Sequence, residues 1–146
     1  MISTAFIFTV WTLYLYLLHR LVHITPIIKN FHRHHHVFIL TNHTSWKWNN
    51  LFLYNDDIVG TVDLWITDVL PTILFCFIFD SWYILLFYWC WAAFLQEKLE
   101  HNQNVNFIGF TFGKWHLEHH RNPSKNFGLF SPIWDKIFRT ESKRLN

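Results

Sequence analysis

The sequence predicts an all-α integral membrane protein in which one N-terminal span and an apolar helical hairpin carry a cytoplasmic, histidine-rich helical cap. Hydrophobic residues make up 51% of the 146 residues and charged residues only 15%, below the roughly 25% of a soluble domain. All Lys and Arg residues lie in two blocks, since none precedes Arg20 and none falls between Lys47 and Lys98. This length predicts one membrane-embedded domain over residues 1–146.

The first apolar segment, residues 2–18, contains no charge over 17 residues. That is the short end of the ~17–25 residues that cross a bilayer as a helix. A signal peptide is the alternative, but no basic residue precedes the segment and no small-x-small cleavage site follows it. We expect a retained span whose helix continues past Leu18, so that His19 and His23 share one face, and which ends at Pro26.

Residues 29–63 are polar and mixed, and they predict a helix followed by a connection near the membrane interface. The helix would carry the second group of histidines. The connection contains Trp46 and Trp48, side chains that favour the membrane–water boundary.

The second apolar region, residues 64–95, predicts the hairpin. As one helix it would be about 48 Å long, which exceeds a hydrocarbon core of ~30 Å. Asp80-Ser81 near its middle predicts a turn between arms 64–79 and 82–95, and Asp68 and Pro71 should weaken the first arm. A hairpin that enters and leaves by the same face puts both basic blocks in the cytoplasm and the N-terminus outside.

Three histidine boxes predict metal binding. His19 and His23 stand four residues apart, and two further boxes have the spacing H-x-x-H-H, which places three imidazoles on one helical face. Eight imidazoles exceed the needs of one ion, so we expect two ions. With His101 added, which has Glu97 four residues before it, the candidate ligands are His19, His23, His32, His35, His36, His101, His116, His119 and His120.

Other polar residues receive lesser roles. His34 lies off the face of its box and His43 lies in a connection, so neither is expected to bind metal. Glu118 should point away from the ions. Ligating histidines usually donate their second ring N–H to a carboxylate or carbonyl, and the candidates for that role are Glu97, Glu100 and Asp135. Cys76 and Cys90 lie in apolar sequence and are expected to be buried hydrophobes.

The order and spacing of these motifs resemble the fatty acid hydroxylase and sterol desaturase superfamily. The resemblance rests on His19-Arg-Leu-x-His23, Phe31-His-x-x-His-His36, an apolar hairpin and His116-x-x-His-His120. It extends to Asn126-Phe-Gly128 and to the closing Trp134-Asp-x-x-Phe138-x-Thr140, in which Arg139 stands where Gly is common.

The resemblance implies a membrane di-iron oxidoreductase. Its histidine boxes would hold two non-haem irons on the cytoplasmic face, with zinc as a possible substitute, and O2 would be the co-substrate in hydroxylation or desaturation of a fatty acyl chain or sterol. Electrons would come from a separate cytochrome b5-like or ferredoxin-like carrier with its reductase, because no haem-binding donor domain is recognisable in the chain.

Two other functions use the same histidines. A metal transporter or metal-storage membrane protein should carry ionisable ligands inside its spans, whereas these boxes lie at or beyond the span ends. A membrane cytochrome with bis-histidine haem needs only two axial ligands and does not explain two repeated triplets. The formal charge of +2 gives no reason to expect nucleic-acid binding.

Overall fold

The computed structural model describes residues 3–42, 45–55 and 57–143, and within these ranges the regular structure is entirely helical. The elements are α1 (Thr4–Ile24), α2 (Pro26–Thr41), a 3-10 turn (Trp48–Phe52), α3 (Ile58–Leu64), a π-helical turn (Trp65–Val69), α4 (Leu70–Phe79), α5 (Trp82–Cys90), a second π-helical turn (Trp91–Leu95), α6 (Gln96–Leu99), α7 (Lys114–Arg121) and α8 (Ile133–Ile137).

Helix α1 starts at a capping serine and continues beyond the predicted apolar segment. The Ser3 hydroxyl accepts a hydrogen bond from the Phe6 N–H, which satisfies one of the free donors of the first turn. The helix ends at Ile24, and Pro26 takes the first position of α2, where its missing N–H costs nothing. Both His19 and His23 therefore lie on α1, as expected.

The first arm of the apolar hairpin is longer than predicted. Residues Ile58–Phe79 form one continuous helix of 22 residues, so Asp68 and Pro71 do not interrupt it. The π-helical turn is the reason: the Leu70 N–H bonds the Trp65 carbonyl five residues back. This wider turn accommodates Pro71 directly after it, without the clash and lost hydrogen bond that proline causes in a regular α-helix.

The predicted turn at Asp80-Ser81 is confirmed. Asp80 ends α4 in the left-handed conformation with φ 46°, and α5 starts at Trp82. Within the described ranges, two helices are long and apolar enough to cross a membrane, Thr4–Ile24 and Ile58–Phe79. Those bounds replace the predicted apolar segments 2–18 and 64–79. The predicted second arm, 82–95, is helical and consists of α5 and the second π-helical turn.

An aromatic core joins the two long helices. Trp11 of α1 is fully buried, and its indole N–H donates to the Thr72 hydroxyl of α4 at 3.2 Å. At the far end of the same helix pair, His32 of α2 contacts Asp63 of α3. The C-terminal end of α1 and the N-terminal end of α3 therefore lie at the same end of the molecule, where α2 packs against α1, α3 and α7.

Candidate metal centre

Five imidazoles converge at the junction of α1, α2 and α7, and we call them the five-histidine group. Its Nε2 atoms lie 3.1 Å apart for His19 and His32, 3.1 Å for His32 and His36, and 3.1 Å for His23 and His119. Two nitrogens bound to one ion at about 2.1 Å lie about 3.0 to 3.4 Å apart. The members of the group are His19, His23, His32, His36 and His119.

A second set, the four-histidine group, lies directly beside the first. The Nε2 atoms of His116 and His120 are 2.9 Å apart, and the ligand atoms of all its members lie within 4.8 Å of one another. The rings of His36 and His120 stack at 4.4 Å across the boundary between the two groups. The members are His35, His101, His116 and His120.

The two groups divide each H-x-x-H-H box between them. Neighbouring residues on a helix point about 100° apart, so His36 enters the five-histidine group while His35 enters the four-histidine group. On α7, His119 and His120 divide in the same way. All nine candidate ligands therefore lie in one of two adjacent groups.

Hydrogen bonds on the outer ring nitrogens determine which nitrogen faces inward with a lone pair. His19 Nδ1 donates to the Phe127 carbonyl at 2.9 Å, His119 Nδ1 donates to the Lys125 carbonyl at 2.6 Å, and His32 Nδ1 lies 3.0 Å from Asp63 Oδ2. A carbonyl oxygen only accepts, so the proton lies on Nδ1 in the first two pairs. The inward Nε2 atoms are left as acceptors, the form that binds metals.

Burial keeps the cap histidines neutral. Removal from water lowers the pKa of His32, His116, His119 and His120 well below the ordinary 6.5, and that of His35 to about 3. Neutral imidazoles whose lone pairs face each other at about 3 Å repel, and a bound cation removes that repulsion. The residues therefore fit metal ions, and imidazole suits iron, zinc, copper and nickel.

The space between the groups is small. A cavity of about 30 Å³ is lined by members of both groups together with Asp63, Asp68, Glu97 and Glu100. It has room for ions or one or two waters, not for a lipid chain. A larger molecule could reach the histidines only from outside this cavity.

Outside the groups, the structure gives the other predicted residues different positions. His34 is exposed, with Nε2 3.2 Å from Asp57 Oδ1, and His43 lies outside the described residues. Glu118 is buried away from both groups and accepts from the Ser142 hydroxyl at 3.0 Å. Cys76 is buried but Cys90 is exposed, so the expectation of burial was wrong for Cys90.

Of the three carboxylates predicted to orient histidines, Glu97 faces a ring nitrogen, with Oε2 3.6 Å from His101 Nδ1. The buried Glu100 Oε2 has no hydrogen-bond partner among the described residues. Asp135 accepts from the backbone N–H groups of Phe127 and Gly128. The sequence reasoning missed Asp63, which orients His32, although an acidic residue beside an apolar segment was an available signal.

The described residues, with their helical structure, two long apolar helices and two adjacent all-imidazole groups, define a class: helical proteins whose histidine groups could hold metal ions. Residues 4–140 match the family described as Fatty acid hydroxylase. The chain therefore belongs to the fatty acid hydroxylase family, which confirms the resemblance of its motifs and implies an oxidoreductase. No curated protein and no solved structure matches the chain significantly.

Proposed function

We propose that this protein is an O2-dependent, non-haem di-iron enzyme that hydroxylates or desaturates a membrane lipid. The observation that carries the proposal is the pair of adjacent histidine groups, each with nitrogens spaced to hold one ion. Family membership supports iron as the metal and a lipid as the substrate. Bound iron supplies the activation of O2 that attack on an unactivated C–H bond requires, since amino-acid side chains offer no group for that step.

The electron balance requires a donor. Hydroxylation of R–H consumes O2, two electrons and two protons and yields R–OH and water; desaturation consumes the same and yields an alkene and two waters. The chain's own residues hold the ions, fix the histidine tautomers and limit water at the centre to the small cavity. The histidine groups lie at one end of the apolar helices, so a lipid chain could approach them along the membrane. In the proposed topology this end faces the cytoplasm.

A basic groove supports docking of an acidic electron carrier, such as a cytochrome b5-like or ferredoxin-like protein. The groove has a volume of about 560 Å³ and contains four cationic side chains and one carboxylate; it is lined by Asn122, Lys125, Lys136, Arg139, Glu141, Ser142 and Lys143. Lys125 of this groove accepts a hydrogen bond from His119 through its backbone carbonyl. The groove therefore directly adjoins the five-histidine group. Positive charge steers an acidic partner toward it.

Metal analysis and turnover of the purified protein test the proposed function. We expect two non-haem irons per chain, and lipid oxidation that requires O2, a reductase and a carrier. Haem, or zinc with no oxygen-dependent product in the iron-loaded protein, would contradict it and favour a histidine-rich metal-binding or metal-transport protein. Turnover with NADPH alone would contradict the separate carrier.

Charge reversal tests the docking surface. Lys136→Glu should raise the KM for an acidic carrier and weaken its dependence on salt, with little change in kcat at saturating carrier. Arg33→Glu is the matched control, because Arg33 is an exposed cation of α2 that does not line the groove. Equal effects of the two substitutions would refute this docking surface.

A further inference from the structure

The loop of residues 125–128 supports two members of the five-histidine group at once. Its Phe127 carbonyl accepts a hydrogen bond from the Nδ1–H of His19, and its Lys125 carbonyl accepts one from the Nδ1–H of His119. These histidines come from helices α1 and α7, far apart in sequence. The position of one short loop therefore determines how both rings present Nε2 to the centre.

The loop has no helical or strand hydrogen bonds of its own to hold it in place. Asn126 within it is left-handed, with φ 57°, a conformation that asparagine tolerates better than most residues. Its shape must be held by contacts with other segments. Asn126 bonds the Trp115 carbonyl, the Thr140 carbonyl and the Ser142 N–H, and one further side chain accepts from the N–H groups of both Phe127 and Gly128.

That side chain is Asp135 of α8, which is fully buried. Its carboxylate accepts from the N–H of Phe127 at 2.8 Å, from the N–H of Gly128 at 2.9 Å and from the Thr140 hydroxyl at 2.7 Å. The Thr140 carbonyl in turn accepts from the Asn126 N–H at 2.9 Å. A Cβ on Gly128 would lie 2.9 Å from Asp135 Oδ2 and 2.6 Å from the Ser131 carbonyl, so glycine permits this close approach.

We propose that Asp135 is a positioning residue for the five-histidine group, acting through the 125–128 loop on the Nδ1 protons of His19 and His119. It touches neither histidine and no reacting atom. The inference rests on the proposed metal centre and adds a selective role. The four-histidine group lacks this support, since the Nδ1 atoms of His116 and His120 have no hydrogen-bond partner in the described part of the chain.

Asp135→Asn separates this role from general stability. The three donors to Asp135 use both carboxylate oxygens, and the asparagine side chain has only one oxygen. One hydrogen bond to the loop is therefore lost, with almost no change in side-chain volume. We expect the affinity for one ion to fall by about 10- to 100-fold, as for other residues that orient ligands, and the affinity for the second ion to change by less than about twofold. Asp80→Asn is the matched control, because Asp80 is exposed in the turn between α4 and α5 and makes none of these contacts.

Two backgrounds identify the affected ion. With His120→Ala, which damages the four-histidine group, Asp135→Asn should weaken the remaining ion by about 10- to 100-fold. With His23→Ala, which damages the five-histidine group, it should have little further effect. An equal loss of affinity on adding Asp135→Asn to both backgrounds, or no loss in either, would refute the inference. Thr140→Val should give a smaller effect of the same selectivity, with Thr140→Ser restoring the wild-type affinity.

A metal-free readout keeps this test independent of the proposed function. Nitrogen-15 NMR of the apo protein should show slowly exchanging Nδ1 protons on His19 and His119, and Asp135→Asn should make both exchange faster. Unchanged exchange would refute the role of Asp135, whether or not the protein binds iron. If the wild-type protein binds no metal, but the Nδ1 protons still exchange faster in Asp135→Asn, the metal centre alone is refuted.

Discussion

At the scale of single residues, position relative to the inward-facing nitrogens distinguishes one histidine from another. His119 is fully buried with Nε2 3.1 Å from that of His23, whereas His34 is exposed and faces Asp57. We expect His119→Ala to abolish lipid oxidation and lower the iron content, and His34→Ala to retain most of both. Activity and iron per chain are compared after each variant is shown to insert and fold. A folded His119→Ala protein with its iron and activity intact would show that the centre lies elsewhere.

The carboxylate behind His32 gives a second residue-scale prediction. Asp63 is buried, and its Oδ2 lies 3.0 Å from His32 Nδ1. Asp63→Asn replaces the carboxyl group that faces His32 Nδ1 with an amide, and we expect about 10- to 100-fold weaker binding of one ion. Metal titration measures the change. Asp57→Asn provides the control, because Asp57 contacts the exposed His34 and asparagine still caps α3; an equal loss there would rule out a specific role for Asp63.

The residues that bind or orient metal differ in how far sequence reveals them. Box spacing alone places His32 and His36 on one face of a helix, because helical periodicity is local. The pairing of His23 with His119 across 96 residues depends on how α1 and α7 pack, which periodicity does not specify. The carbonyls of Lys125 and Phe127 could not be predicted from side-chain identity at all, since every residue has one.

At the scale of elements, the turn that follows α8 shows why glycine would suit position 139, where this chain has Arg139. Arg139 has φ 56°, and glycine adopts this left-handed conformation without the steric cost of a Cβ. We expect Arg139→Gly to raise the free energy of unfolding by roughly 1 kcal/mol. Denaturant unfolding in detergent measures it. Lys136→Gly within α8 should instead lower stability by about 1 kcal/mol, and a loss in both variants would contradict the strain.

Element boundaries were predictable where one residue decides them and wrong where the backbone adapts. Pro26 separates α1 from α2 and Asp80 separates α4 from α5, because proline and a left-handed residue each break a helix. Pro71 did not act in this way. The π-helical turn Trp65–Val69 accommodates it, and the apolar periodicity of the segment gave no signal of that local widening.

At the scale of the whole molecule, a shared centre requires the segments before and after the hairpin to lie on one side of the membrane. Asn30→Cys and Ser124→Cys place one exposed thiol before the hairpin in the sequence and one after it. Both are introduced into a Cys90→Ser background, because Cys90 is exposed. We expect an impermeant reagent to label both from the cytoplasmic side, and Thr4→Cys from the other. Opposite sidedness of residues 30 and 124 would contradict both the hairpin topology and the common centre.

Since α7 contributes to both histidine groups, neither group can assemble before α7 has been synthesised. His23 and His119 are 96 residues apart, so at about 5–20 residues per second the α1 histidines wait roughly 5 to 20 s for their partners. Asp135 and Thr140 are made later still. Neither group is complete until α7 has been made, so a metal ion that needs all the histidines of a group can bind there only after that point.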